Sequence, residues 1–231
     1  MENKKNNLWL IPAAFFAVCC ILNLIGCLSE GDLERAVKPA LMPTLCIASA
    51  VWLLGNANPR RRDLGLLLSA QLFGFAGDTM LMGSGFAFFA GGIGMFLVGH
   101  ICYILLYGSR SLKGLKPWQW IAGIAFGLAA TAALAASIGV KGALLAPMGI
   151  YGFVLMMLIF SAFTGLLRFG GLTWWLLTVG AVVFTISDAL IAVRNFNELS
   201  PFMGGFVVMA TYLVAQTLLA IGCCRLAREN S

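Results

Sequence analysis

Charge is what this chain has least of. Only 10% of its 231 residues are Asp, Glu, Lys or Arg, against 61% that are hydrophobic. A soluble domain carries roughly 25% charged residues, so the charges here are too few to coat a globular surface. Histidine occurs once, as His100. One histidine and no paired C-x-x-C leave a zinc site without enough donors. A Ser-His-Asp triad would have to be built around that same histidine, and no nucleophile elbow is present. Phosphate loops and dinucleotide fingerprints are absent too. The seven cysteines, Cys19, Cys20, Cys27, Cys46, Cys102, Cys223 and Cys224, lie in or at the ends of apolar runs. They read as small packing residues rather than a disulfide framework. The net charge is +6, but the basic residues are scattered between apolar runs with no basic face, which excludes nucleic acid as a partner.

What is present is hydrophobic length. Eight apolar stretches fall near 8–28, 37–55, 64–85, 86–108, 118–138, 143–167, 172–193 and 203–224, each long enough to cross a bilayer as a helix. The runs are continuous rather than alternating, which excludes a transmembrane barrel. The expectation is an all-α polytopic membrane protein, one eight-span domain over 1–231. Met82-Gly83-Ser84-Gly85 separates the third and fourth spans as a tight turn. Eight spans place both termini and the even-numbered loops on one side. That side holds Lys4, Lys5, Arg60, Arg61, Arg62, Arg110, Lys113, Lys116, Arg168, Arg225 and Arg228. The other holds Arg35, Lys38, Lys141 and Arg194. Positive charge gathers on the cytoplasmic side, so cytoplasmic termini are expected, in a bacterial inner membrane. A competing reading takes Leu24-Ile25-Gly26-Cys27 as a lipoprotein signal cleaved before Cys27; the pattern is short, and the first span is kept as a helix.

An internal duplication is hinted at. A shift of 110 residues carries Leu67 onto Leu177, Gly77 onto Ser187 and Asp78 onto Asp188. A shift of 113 carries Phe89-Ala90-Gly91-Gly92 onto Phe202-Met203-Gly204-Gly205. Two four-helix halves would produce this pattern.

Ionisable groups inside spans point to function, because burying charge in hydrocarbon costs several kcal/mol. They are Asp78 in the third span, His100 in the fourth and Asp188 in the seventh, with Lys38 beginning the second span and Arg194 ending the seventh. The other seven acids read as loop or tail residues. At about 1.5 Å per residue, Asp78 and Asp188 share one level on the non-cytoplasmic side. Lys38 then lies above them and His100 below. Gly74 and Gly77 let a neighbour approach Asp78, and Ser187 is placed to hydrogen-bond a partner of Asp188. His100 and Tyr103 are spaced i, i+3; Tyr212 and Gln216 are spaced i, i+4. Together these groups suit one inward-facing pocket, with the two aspartates facing each other across it. Each also has a structural reading. The aspartates would be interhelical glue, the others packed and satisfied side chains, and Lys38 a snorkelling lysine.

The ordered set Lys38-Pro39, Gly77-Asp78-x-x-Leu81, Phe96-x-x-x-His100-x-x-Tyr103, Ser187-Asp188-x-x-Ile191 and Tyr212-x-x-Ala215-Gln216 resembles the YhhN-like family of membrane proteins, the lysoplasmalogenases. The resemblance implies hydrolysis of the vinyl ether bond of a lysophospholipid, giving a fatty aldehyde and a glycerophospho-ethanolamine or -choline. It places the catalytic pair on Asp78 and Asp188, and implies no metal or organic cofactor. The chemistry suits two carboxyls. One protonates the alkene carbon, and the other stabilises the resulting oxocarbenium ion until water adds. Burial and a neighbouring like charge both favour a neutral carboxyl. Lys38 or Arg194 would attract the lipid phosphate. A proton-coupled transporter also uses intramembrane Asp and His, but the Asp78 and Asp188 spans lack the prolines of broken helices. An intramembrane aspartyl protease would show Gly-x-Gly-Asp, whereas the run here is Gly74-Phe75-Ala76-Gly77-Asp78, and Pro39-Ala40-Leu41 precedes both aspartates.

Overall fold

The computed structural model describes residues 7–29, 32–140, 142–196, 200 and 202–229. Lys4, Lys5 and Lys141 of the orientation count lie outside them. The described chain is helical throughout, without strands. In order the helices are α1 (Leu10–Leu28), α2 (Leu33–Asn56), α3 (Arg61–Leu81), α4 (Phe86–Ser111), α5 (Pro117–Ile138), α6 (Leu145–Phe169), α7 (Gly171–Phe196) and α8 (Val208–Glu229). A 3₁₀ turn at Gly142–Leu144 leads into α6, and a π-helical turn at Phe202–Val207 leads into α8. All eight are long and apolar enough to cross a membrane, as the hydrophobic runs predict.

Polarity is distributed as a bilayer demands. Large apolar side chains such as Ile11, Leu54, Ile121, Leu167 and Trp175 point outward, while Asn23, Asp63, Gln71, Asp78, His100 and Asp188 are buried. Water would select the reverse arrangement. Lipid penalises an unpaired polar group at the surface and leaves an apolar one at no cost.

The ends of the helices depart from the sequence expectation at two informative places. α2 begins at Leu33 rather than at 37, which places Lys38 in its second turn rather than at its mouth. α3 begins at Arg61. Consequently Glu34 and Asp63 sit in the first turns of helices rather than in loops, where a carboxylate complements the positive end of the helix dipole. Glu229, expected in the tail, closes α8. Gly85, with φ +95°, reverses the chain between α3 and α4, a conformation that glycine adopts at no steric cost.

The chain gathers into two compact units. One holds α1, α2, α3, α4 as far as Leu106, and α8 from Ala220; the other runs from Tyr107 to Leu219. In the first, α1 packs on α2 at Gly26, where a Cβ would lie 2.5 Å from the Glu34 nitrogen. In the second, α6 packs on both α5 and α7.

Candidate functional site

Asp78 belongs to a stripe of α3. Asp63, Leu67, Ala70, Gln71, Gly74, Gly77 and Asp78 are its buried residues, a spacing that follows the helical repeat. The stripe packs against α4 at close range. A Cβ on Gly77 would lie 2.8 Å from the Phe96 ring, and one on Gly99 would lie 3.1 Å from the Ala70 carbonyl. Only glycine admits this approach. The same contacts fix the register between the antiparallel helices. His100 stands level with Ala70 and Gln71, about 10 Å along the axis from Asp78. His100 is therefore placed below Asp78, as expected, by two turns. Its ring stacks on Phe96 with centroids 6.5 Å apart, and both His100 and Tyr103 are buried at 1% exposure.

From α2, which also packs on α3, come Lys38 and Ser49. The Arg35 guanidinium donates to the Met82 carbonyl at 3.1 Å, joining the start of α2 to the end of α3. Lys38 lies three residues inward from Arg35 and Asp78 four residues inward from Met82, while counting from the Ser49–Gln71 contact sets Lys38 level with Met82; Lys38 therefore stands between the depth of Asp78 and about one turn outward of it. The Lys38 ammonium stands 3.6 Å from the Glu34 carboxylate, one turn back on the same helix. Deeper in, Gln71 Nε2 donates to Ser49 Oγ at 2.9 Å, while Gln71 Oε1 has no hydrogen-bond partner among the described residues. Neither Gln71 nor Ser49 stands out in the sequence.

The second unit carries Asp188. It lies on α7, buried at 7% exposure, and the Tyr151 hydroxyl of α6 donates to its Oδ2. Tyr151, itself buried, is the main residue that sequence reasoning passes over. Ser187 is not turned toward this pair; its hydroxyl donates to the Val208 carbonyl at 3.1 Å and ties α7 to the first residue of α8. Tyr212 packs edge-on against Phe184 with centroids 5.7 Å apart. It accepts from Gln216 Nε2 at 3.5 Å, so the i, i+4 pair on α8 forms as spaced. Arg194, a candidate phosphate ligand, donates to the Gly204 carbonyl at 2.9 Å and braces the π-helical turn.

Each unit thus presents a carboxyl buried within a helix, Asp78 and Asp188, with a polar side chain on the helix preceding it: Lys38 within about a turn of the depth of Asp78, and Tyr151 bonded to Asp188. The first unit also buries Asp63, in the first turn of α3. A carboxyl in such surroundings exchanges a proton or stabilises a nearby cation, the two roles of paired acids in hydrolysis. Among the described residues there is no group of three or more His, Cys, Asp or Glu side chains that could hold a metal ion.

Comparison with known proteins follows the same residues. The chain is 26% identical over 217 residues to a mouse protein named lysoplasmalogenase TMEM86B, covering 94% of this chain and 87% of the relative. It is 27% identical over 225 residues to a human protein named lysoplasmalogenase TMEM86A, covering 92% and 87%. The bovine lysoplasmalogenase TMEM86A gives 26% over 227 residues, with coverage of 92% and 87%. No solved structure matches. The model of the YhhN family matches residues 33–223, from the first turn of α2 to within a few residues of the end of α8. This match takes in Lys38, both intramembrane aspartates, His100 and Gln216, and the chain belongs to the YhhN family.

Proposed function

We propose that this protein hydrolyses the vinyl ether bond of lysoplasmalogens, with Asp78 and Asp188 as its acid–base pair. The relatives' names support the substrate class. The observation that carries the chemistry is the burial of Asp78 and Asp188 inside apolar helices, with Tyr151 donating to Asp188 from the preceding helix. Such groups are costly in a membrane and are retained where they act.

The reaction needs a proton delivered to carbon. One carboxylic acid protonates the alkene carbon remote from the ether oxygen, and the ether-bearing carbon becomes an oxocarbenium ion. The other carboxylate stabilises that cation. Water adds to it and gives a proton back to a carboxylate, so the acid is regenerated and one water is consumed. The resulting hemiacetal collapses to a fatty aldehyde and the glycerophospho-head group. Tyr151 holds Asp188 in place and spreads its charge onto the phenol. Lys38 offers a cation for the lipid phosphate within about a turn of the depth of Asp78. Arg194 is the weaker candidate for that task, because it is engaged with Gly204.

The test is purified protein in detergent with a lysoplasmenyl lipid. Release of free aldehyde is expected. Protein that is folded and binds the lipid but releases no aldehyde would favour the alternative, a transporter or lipid-handling protein using the same intramembrane Asp and His residues.

A further inference from the structure

We propose that Glu34 and Lys38 form a cradle for a zwitterionic head group, with Lys38 taking the phosphate and Glu34 the ammonium. The inference rests on the lysoplasmalogen reading above and adds to it a residue that selects the head group.

Three observations lead to it. First, opposite charges are fixed one turn apart on α2, at 3.6 Å, with side chains only 16% and 33% exposed. An i, i+4 pair of this kind contributes little to folding, whereas the partial burial of both charges is costly to maintain. Second, the Arg35–Met82 and Ser49–Gln71 contacts set Lys38 between the depth of Asp78 and about one turn outward of it, with Glu34 about 6 Å nearer the helix end again. Neighbouring packed helices lie roughly 8–10 Å apart. A lysoplasmalogen presents its groups in the same order: vinyl ether, glycerol, phosphate, a two-carbon spacer, ammonium. With the vinyl ether at Asp78, the phosphate reaches across to Lys38 and the ammonium continues outward to Glu34. Third, Pro39 and Pro43 lie inside α2. Proline has no N–H, so the carbonyls of Arg35 and Pro39 lack their i+4 helical donor. The Arg35 carbonyl lies between Glu34 and Lys38 along the helix and is an acceptor for a primary ammonium. Ethanolamine donates to it; a trimethylammonium has no N–H to give. The cradle therefore prefers ethanolamine to choline, and either to a head group without a cation.

The experiment measures aldehyde release by the full chain in detergent on lysoplasmenyl-ethanolamine, lysoplasmenyl-choline and lysoplasmenyl-phosphoglycerol. Glu34→Gln is expected to raise KM for the ethanolamine lipid about three- to tenfold, the scale of one partly exposed charge pair. It leaves kcat, and KM for the phosphoglycerol lipid, unchanged. Lys38→Met raises KM for all three lipids, and Lys38→Arg restores most of the loss. A Glu34→Gln variant that alters all three lipids alike, or none, overturns the cradle. Competition binding with the unreactive saturated-ether lipids carrying the same head groups separates the two claims. No aldehyde from any lipid would defeat the hydrolase reading. Loss of the preference for the ethanolamine lipid over the phosphoglycerol lipid in binding by Glu34→Gln would still support the cradle, and retention of that preference would still overturn it.

Discussion

Replacing Tyr151 with phenylalanine removes one oxygen from the interior of the second unit and leaves the ring in place. The lost hydroxyl is the donor to Asp188 Oδ2, and both side chains are buried, at 7% exposure each. A hydrogen bond to a charged group contributes about 1.5–3 kcal/mol. If Asp188 carries more negative charge in the transition state than in the resting enzyme, that bond strengthens as the reaction proceeds. Its loss then falls on kcat, as roughly a 10- to 100-fold decrease. KM is expected to stay within about twofold, because Tyr151 acts through Asp188 and not on the lipid. Initial rates of aldehyde release over a range of lysoplasmenyl lipid concentrations separate the two constants. Combining Tyr151→Phe with Asp188→Asn should cost no more than Asp188→Asn alone, the non-additivity expected of groups that work as a unit. A Tyr151→Phe enzyme with wild-type kcat, or a double variant showing two independent losses, would refute the positioning role.

Other perturbations test the frame around the site. His100→Gln is expected to slow turnover less than loss of either aspartate, because His100 lies two turns below Asp78 and serves to orient; equal loss would place it in the chemistry. Gly77→Val is expected to destabilise the protein by about 1–3 kcal/mol through overpacking against Phe96, read as a lower melting temperature in detergent; an unchanged melt would mean that α3 and α4 pack less closely. Gln71→Leu alone leaves Ser49 without its donor and is expected to cost about 1 kcal/mol or more, whereas Gln71→Leu with Ser49→Ala removes both partners and is close to neutral. A reporter fused after Ser231 is expected to be active only in its cytoplasmic form; activity only in the exported form would reverse the orientation and undo the span count.

The spans were legible because lipid imposes a simple rule: about twenty apolar residues per crossing. Their ends were less so. The first turn of α2 carries Glu34, Arg35 and Lys38, which interrupt the apolar run and hide the helix, although Glu34 and Lys38 stand at the i, i+4 spacing that supports one. Asp63 looks like a loop residue in the sequence for the same reason, since it follows Arg60-Arg61-Arg62. Asp78, His100 and Asp188 stand out because an ionisable group inside an apolar run has few bland explanations. Tyr151 carries no charge, and a tyrosine near the end of a span passes for an interfacial aromatic. One signal did point to it: the 113-residue shift that relates the two Gly-Gly segments carries Lys38 onto Tyr151. The pairing of Gln71 with Ser49, and of Ser187 with Val208, is long-range packing, on which periodicity within one helix is silent.

The most direct measurement of the central claim compares aldehyde release by the native protein, Asp78→Asn and Asp188→Asn on a lysoplasmenyl lipid and on its saturated-ether analogue. Asparagine keeps the size of aspartate but neither donates an acid proton nor balances a cation. Each variant is expected to lose at least the 10²- to 10⁴-fold that general acid catalysis contributes while still binding the analogue, and the native protein should bind the analogue without turning it over. Near-native aldehyde release by either variant would contradict the two-carboxyl mechanism, and turnover of the saturated lipid at a matching rate would contradict vinyl ether chemistry itself.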